Sequence, residues 1–285
     1  TTEIYTLSLH DALPILNYKF IFMNTGRQTG FFSLLIIMML GNQFLAAQSL
    51  SLSGHSHNDY EQQIPFFLAY ENRLGSVEVD IWAVDSLLLV AHDLKDVSAE
   101  KTIWSMYLSP IVDLFSKNGG RSWADSEDSF QLLIDLKSPA NPTLDLLADL
   151  ISRYPYIFDR KTNPFAVAIV ISGSRPEPED FKNYPGYIMF DGTIGADYTT
   201  DQLQRIPLLS ASFADYSKWN GIGQMPEADK MLIKGIVDSI HKKGKKVRFW
   251  NAPDTENAWK QFMELGIDYI NTDDPAKFAA FCSKK

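Results

Sequence analysis

Four short segments carry the residue types from which a reactive site can be built. They are Gly54-His55-Ser56-His57-Asn58-Asp59, Glu78-Val79-Asp80, Ala91-His92-Asp93 and Ile134-Asp135-Leu136-Lys137. Together they supply imidazoles, carboxylates and an ammonium, a kit suited to a divalent metal and to acid–base work on a phosphate ester. The chain has five histidines, and three of them fall in these segments.

In an extended strand residues i and i+2 share a face, so Glu78 and Asp80 point one way while Val79 and Ile81 point the other. Two bare carboxylates side by side repel, and a cation between them removes the repulsion. Oxygen-only ligands of this kind suit Mg²⁺ or Ca²⁺. Asp135 follows Leu132-Leu133-Ile134 and is the candidate third ligand; Lys137 shares its face and can hold a phosphate oxygen by charge.

His92 ends the run Leu87–Ala91, and one of His55 and His57 is its expected partner in giving and taking a proton. The spacing does not say which. The same His-x-His pattern marks zinc amidohydrolases, an alternative reading. Those sites need further histidines on later strands, and downstream only His92 and His241 remain, the latter in a late helix beside Lys242 and expected at the surface. Asn58, Trp250 and Asn251 are candidate substrate contacts, the last two closing the strand pattern Lys246–Trp250.

These residues need a scaffold that gathers strand ends. Strand patterns at Leu50–His55, Ser76–Val84, Leu87–His92, Phe130–Leu136, Phe165–Ser172, Tyr187–Phe190, Leu208–Phe213, Lys246–Trp250 and Tyr269–Thr272 alternate with helical ones. Helices are expected at Ile64–Leu74, Tyr107–Ser116, Thr143–Arg153, Pro226–Lys243, Glu256–Leu265 and Pro275–Cys282, the last capped by Thr272 or Asp273. About eight strands over one domain's length predict an α/β fold, a single (β/α)8 TIM-type barrel. An open doubly wound sheet would carry a Gly-rich loop after the first strand, and none is present.

Residues 1–22 resemble translated sequencing-adapter DNA over TTEIYTLSLHDALPIL and are set aside as an extension foreign to the fold. Residues 23–47 read as a secretory signal: Arg27, the apolar stretch Phe31–Leu40, then Leu45-Ala46-Ala47. The apolar stretch is short of the roughly 20 residues that a membrane span needs. Residues 48–285 form the barrel domain, which carries the net charge of −9 and a single cysteine, Cys282. An acidic surface disfavours nucleic acid or anionic membrane as partner, and one cysteine excludes an internal disulfide. The expected location is secreted or periplasmic.

The motifs as a set resemble the glycerophosphodiester phosphodiesterase and phosphatidylinositol phospholipase C-like superfamily, over about Leu50 to Pro275. HSHNDY resembles an uncharacterised branch of bacterial and fungal members, and GHSHN with IDLK is also similar to the sphingomyelinase D toxins. The resemblance implies Glu78, Asp80 and Asp135 as metal ligands, His92 and either His55 or His57 as catalytic histidines (Gly54 and the strand end favour His55), Lys137 beside the phosphate and Trp250 as a pocket wall. It implies a metal-dependent phosphoric diester hydrolase acting on a small phosphodiester or phospholipid headgroup, with a cyclic phosphate as a candidate intermediate. Two departures blur the glycerol specificity: Pro65 is followed by Phe66-Phe67 rather than Glu-Asn-Thr, and Asp135 replaces the usual Glu. A non-catalytic barrel that binds a phosphorylated ligand is the remaining alternative.

Overall fold

The computed structural model describes residues 52–284. The extension and leader expected in residues 1–22 and 23–47 lie outside the described residues.

Eight parallel strands close into a barrel: β1 (Gly54–Ser56), β2 (Ser76–Val84), β4 (Gln131–Leu136), β5 (Ala168–Gly173), β6 (Ile188–Thr193), β7 (Leu208–Ser212), β8 (Lys246–Trp250) and β9 (Tyr269–Thr272). Closure comes from β1, which pairs with β2 on one side and β9 on the other. The fold is the expected TIM-type barrel. β3 (Leu87–Val90) is not a stave; it pairs antiparallel with β2 as a hairpin on the outside of the ring.

Strand alternation divides the interior from the shell. Val77, Val79 and Ile81 of β2, with Leu132, Ile134 and Leu136 of β4, face outward into the main core under the helices. The inward residues form two layers. Leu133, Val170, Leu208 and Tyr269 pack as an apolar plug. Further along the same strands the inward positions turn polar: Glu78, Asp80, Asp135, Ser172, Asp191, Ser210, Arg248 and Asn271 are all at or near the buried limit. Polar side chains collect at the C-terminal ends of the strands, the rim where this architecture places its chemistry.

Three expected boundaries move for local reasons. The helix read at Ile64–Leu74 shortens to Phe67–Glu71, because Pro65 lacks an N–H and Phe66 holds φ 64°. The segment before the helix Ser109–Lys117 is a π-turn, Trp104–Leu108. The cap of Pro275–Cys282 is Asp274, whose carboxylate accepts from the Lys277 N–H; Thr272 instead accepts from the Asp274 N–H. Among the described residues no helix is long and apolar enough to cross a membrane.

Candidate active site

A cavity of about 570 Å³ opens at the C-terminal rim, and His57, Asn58, Glu78, His92, Asp135, Lys137 and Trp250 line it. The carboxylates meet there because the register pairs Asp80 with Asp135 across β2 and β4, with Glu78 two residues below Asp80. One oxygen from each of Glu78, Asp80 and Asp135 lies within 4.8 Å of the others.

The charges around this trio are specific. Lys137 Nζ donates to Asp135 Oδ2 at 2.7 Å and reaches Asp80 Oδ2 at 3.1 Å. Tyr60 O–H and His92 Nδ1 also approach Asp80 Oδ2, each at 2.9 Å. Burial alone would raise the pKa of Glu78, but the Arg248 guanidinium and the imidazoles of His55 and His57 outweigh it and hold Glu78 well below the usual carboxylate range. Asp135 is pushed up by burial, against the pull of Lys137.

Two carboxylate oxygens of this trio have no partner. Asp80 Oδ1 and Asp135 Oδ1 are buried without a hydrogen bond. A buried polar atom left bare is costly, and two bare oxygens within one all-oxygen trio fit a hard divalent cation. Gly173 shapes this spot: it holds φ 69°, and a Cβ there would fall 1.8 Å from Asp135 Oδ1.

The structure separates the three histidines. His55 is fully buried with both ring nitrogens engaged. Gln131 Nε2 donates to Ser76 Oγ, which leaves the Ser76 hydroxyl to donate to His55 Nδ1 at 2.8 Å; His55 Nε2 then donates to Glu78 at 2.8 Å. Burial with the Arg248 charge lowers the His55 pKa to about 4, which favours the neutral imidazole. His55 is a sequence candidate for proton exchange with substrate; in this structure it has no exposed surface, its Nε2 meets Glu78 and its Nδ1 meets Ser76.

His57 and His92 do reach the cavity. β1 ends at Ser56 and Asn58 turns at φ 45°, which releases His57 from the barrel interior. His57 Nδ1 faces Asp273 Oδ1 at 2.9 Å. Burial opposes its charging, but Asp273 and Glu78 prevail and its pKa is raised. His92 arrives on the β2–β3 hairpin, where the Ala91 N–H donates to the Asp80 carbonyl at 3.3 Å. Each ring is thus oriented through Nδ1 by a carboxylate, leaving Nε2 for proton exchange.

Trp250 stands 45% exposed at the cavity wall. Asn251 does not share that wall. Its φ of 53° turns it into a side cavity of about 180 Å³ with Asp254, Asn271 and the far side of His57. His241 pairs with Asp268 at 2.7 Å near the surface, away from the site.

The opposite wall was not read from the sequence. Arg248 of β8 is 4% exposed and donates to Glu78 Oε2 at 2.8 Å and to Asn271 Oδ1 at 3.0 Å. Arg175 donates to Thr193 Oγ1 at 2.8 Å. Asp191 accepts from the Ser210 hydroxyl, its other oxygen is bare, and burial pushes its pKa up to about 6. Ser172 Oγ is also buried without a partner. A charged residue inside the apolar string Val247-Arg248-Phe249-Trp250, and an aspartate closing Ile188-Met189-Phe190, were the available signals.

Asp59 and Tyr60 complete the first segment. Asp59, fully buried, accepts from Ser56 Oγ, Tyr107 O–H and the Phe66 N–H. It pins the loop that carries His57, while Tyr60 reaches over to Asp80.

The chain is similar to several known proteins. Residues 44–176 match the AIM6-like phosphodiesterase domain, and residues 246–276 match the glycerophosphoryl diester phosphodiesterase family. The chain is 28% identical to Altered inheritance of mitochondria protein 6 of Kluyveromyces lactis, over 80% of this chain and 71% of that protein. It is 25% identical to the protein of the same name from Eremothecium gossypii, over 77% and 67%. The crystal structure of a glycerophosphodiester phosphodiesterase from Parabacteroides distasonis superposes with a TM-score of 0.48 at 16% identity, covering 81% of this chain and 97% of the other. Both matched families are phosphodiesterase families, which supports the resemblance to the glycerophosphodiester phosphodiesterase and phosphatidylinositol phospholipase C-like superfamily.

Proposed function

We propose that the protein is a cation-dependent phosphoric diester hydrolase that works by paired histidine acid–base catalysis. The observation that carries this reading is the pair of bare buried oxygens, Asp80 Oδ1 and Asp135 Oδ1, in a carboxylate trio at a cavity lined by Asp135 and two carboxylate-oriented imidazoles.

Glu78, Asp80 and Asp135 would hold the cation, Mg²⁺ or Ca²⁺ by donor type. When bound, it supplies Lewis-acid stabilisation of charge on a phosphate oxygen. The chain's own cations, Lys137, Arg248 and Arg175, line the same cavity and attract the diester anion. His92 takes the proton from the attacking hydroxyl. His57, whose pKa Asp273 raises, gives its proton to the departing alkoxide as the P–O bond breaks. An attacking hydroxyl on the substrate itself gives a cyclic phosphate first; water gives the monoester directly.

Asp191 Oδ1 and Ser172 Oγ, both bare and facing the far side of the cavity, fit hydroxyls on one of the two alcohols. The leader read in residues 23–47 supports an exported protein. The zinc reading loses support because the clustered ligands are all carboxylates and both His55 nitrogens are engaged within the protein.

Metal analysis of the purified protein and a phosphodiester panel with Mg²⁺, Ca²⁺, Mn²⁺ or chelator test this reading. The expected result is cation-dependent cleavage. Stoichiometric tightly bound zinc, or binding without turnover across the panel, would overturn it.

A further inference from the structure

A second cavity, of about 560 Å³, adjoins the first, and the two share Thr193, Ile194 and Tyr216. It runs along the outer flank of the barrel, between the loop after β6 and the helix Glu227–Lys242. The chain explains why this flank is open. The connection from β6 to β7 contains one five-residue helix, Thr200–Gln204, too short to cover the strands as a full crossover helix does.

The groove is mainly apolar, with Thr193, Asp197, Ser239 and Lys243 as its polar lining. Leu209, Ile236 and Ile240 form its floor, and Met231 and Leu232 stand 66% and 50% exposed beside it. Gly235 lies in the middle of the helix, where glycine is destabilising relative to alanine. A Cβ at that position would meet nothing within 4 Å, so the missing side chain deepens the groove. Apolar residues exposed singly are ordinary; an apolar groove opening into a cationic reaction cavity is a ligand-sized feature with two chemistries.

We infer that this groove holds the apolar chain of an amphiphilic substrate whose phosphodiester lies in the catalytic cavity. The substrate class is a single-chain phosphodiester lipid taken as a monomer. One groove accommodates one chain, and its mouth is where the cavity's cations meet apolar lining. Each methylene buried there adds about fourfold in affinity. For the reaction, though not for the binding, the inference rests on the phosphodiesterase reading.

The test compares calorimetric binding of decyl phosphate, kept below its micelle concentration, with that of methyl phosphate. The wild-type chain should bind decyl phosphate at least 100-fold more tightly. Gly235→Leu, whose Cβ meets nothing within 4 Å and which adds side-chain volume to the groove and raises helix propensity, should lose at least tenfold of that gain and leave methyl phosphate binding unchanged. Leu232→Asp should do the same. Equal affinity for the two probes in wild type, as would follow if upstream residues of this chain filled the groove, overturns the inference; so does a gain that survives both substitutions. In turnover, the two variants should raise KM only for a chain-bearing diester. Decyl phosphate binding as expected with no diester cleaved would overturn the reaction and keep the groove. Cleavage indifferent to the chain would overturn the groove and keep the reaction.

Discussion

His57 Nδ1 lies 2.9 Å from Asp273 Oδ1, which joins the loop after the first strand to the loop after the last. Barrel closure makes this contact. The His57 N–H donates to the Thr272 carbonyl at 3.1 Å, and Asp273 is itself fixed by its N–H to Asp254 Oδ2 at 2.8 Å. An imidazole held this way keeps one tautomer and one orientation.

The pair sets the first prediction. His57→Ala and His92→Ala should each lower kcat by about 10²- to 10⁴-fold, the usual worth of a positioned acid or base. Asp273→Asn should keep the fold and move the alkaline limb of the pH–rate profile to lower pH. The sign follows from the role: His57 donates its proton, Asp273 raises its pKa, and removing that charge empties the donor at lower pH. A pH–kcat/KM series reads the shift. His55→Ala should instead lower stability, since it strips partners from Ser76 and Glu78.

The cation site gives a second prediction. Asp80→Asn and Asp135→Asn should weaken Ca²⁺ or Mg²⁺ binding, measured by calorimetry, because each removes charge from the trio. Gly173→Ala should do likewise without touching a ligand, by driving a Cβ into Asp135 Oδ1. For wild type, cation at 100 times its Kd should stabilise the fold by about 2.7 kcal/mol, readable as a rise in Tm.

Glu78 and Arg248 give a third. Both are buried, and each is the other's ionic partner at 2.8 Å. Arg248→Met leaves the carboxylate without that cation and should cost roughly 3–5 kcal/mol by denaturant titration. Substituting the exposed pair Lys234 and Asp238 should change stability by less than about 1 kcal/mol.

Asp191 supplies a pH dependence. Its folded pKa of about 6 lies above the unfolded value near 3.9, so the folded state holds the proton more tightly. The associated stability is complete below pH 4 and is lost as pH rises through 6. The stability of Asp191→Asn relative to wild type should therefore grow between pH 4 and pH 7 and then level off, by up to about 3 kcal/mol. Urea titrations at four pH values would show it.

Much of the site was legible in the sequence because strand alternation is local. Glu78 and Asp80 on one face, Asp135 and Lys137 on the next strand, and His92 after Leu87–Ala91 required only a period of two. The roles of His55 and His57 were not legible. Both sit at the same parity, and what parts them is the end of β1 at Ser56 and the left-handed turn at Asn58. Arg248 and Asp191 were hidden for another reason: their value comes from cross-barrel neighbours. Arg248 meets Glu78 from a strand 170 residues away. The barrel was predictable from its strand count, whereas β3 was indistinguishable from a stave until its antiparallel pairing was seen.

The most direct test of the central claim follows one phosphodiester by ³¹P NMR in the presence of wild-type protein with Mg²⁺ or Ca²⁺, wild type with chelator, and His92→Ala with cation. The account predicts that the diester resonance gives way to a monoester or cyclic phosphate in the first sample and persists in the other two. Cleavage undiminished by both the chelator and His92→Ala would contradict it.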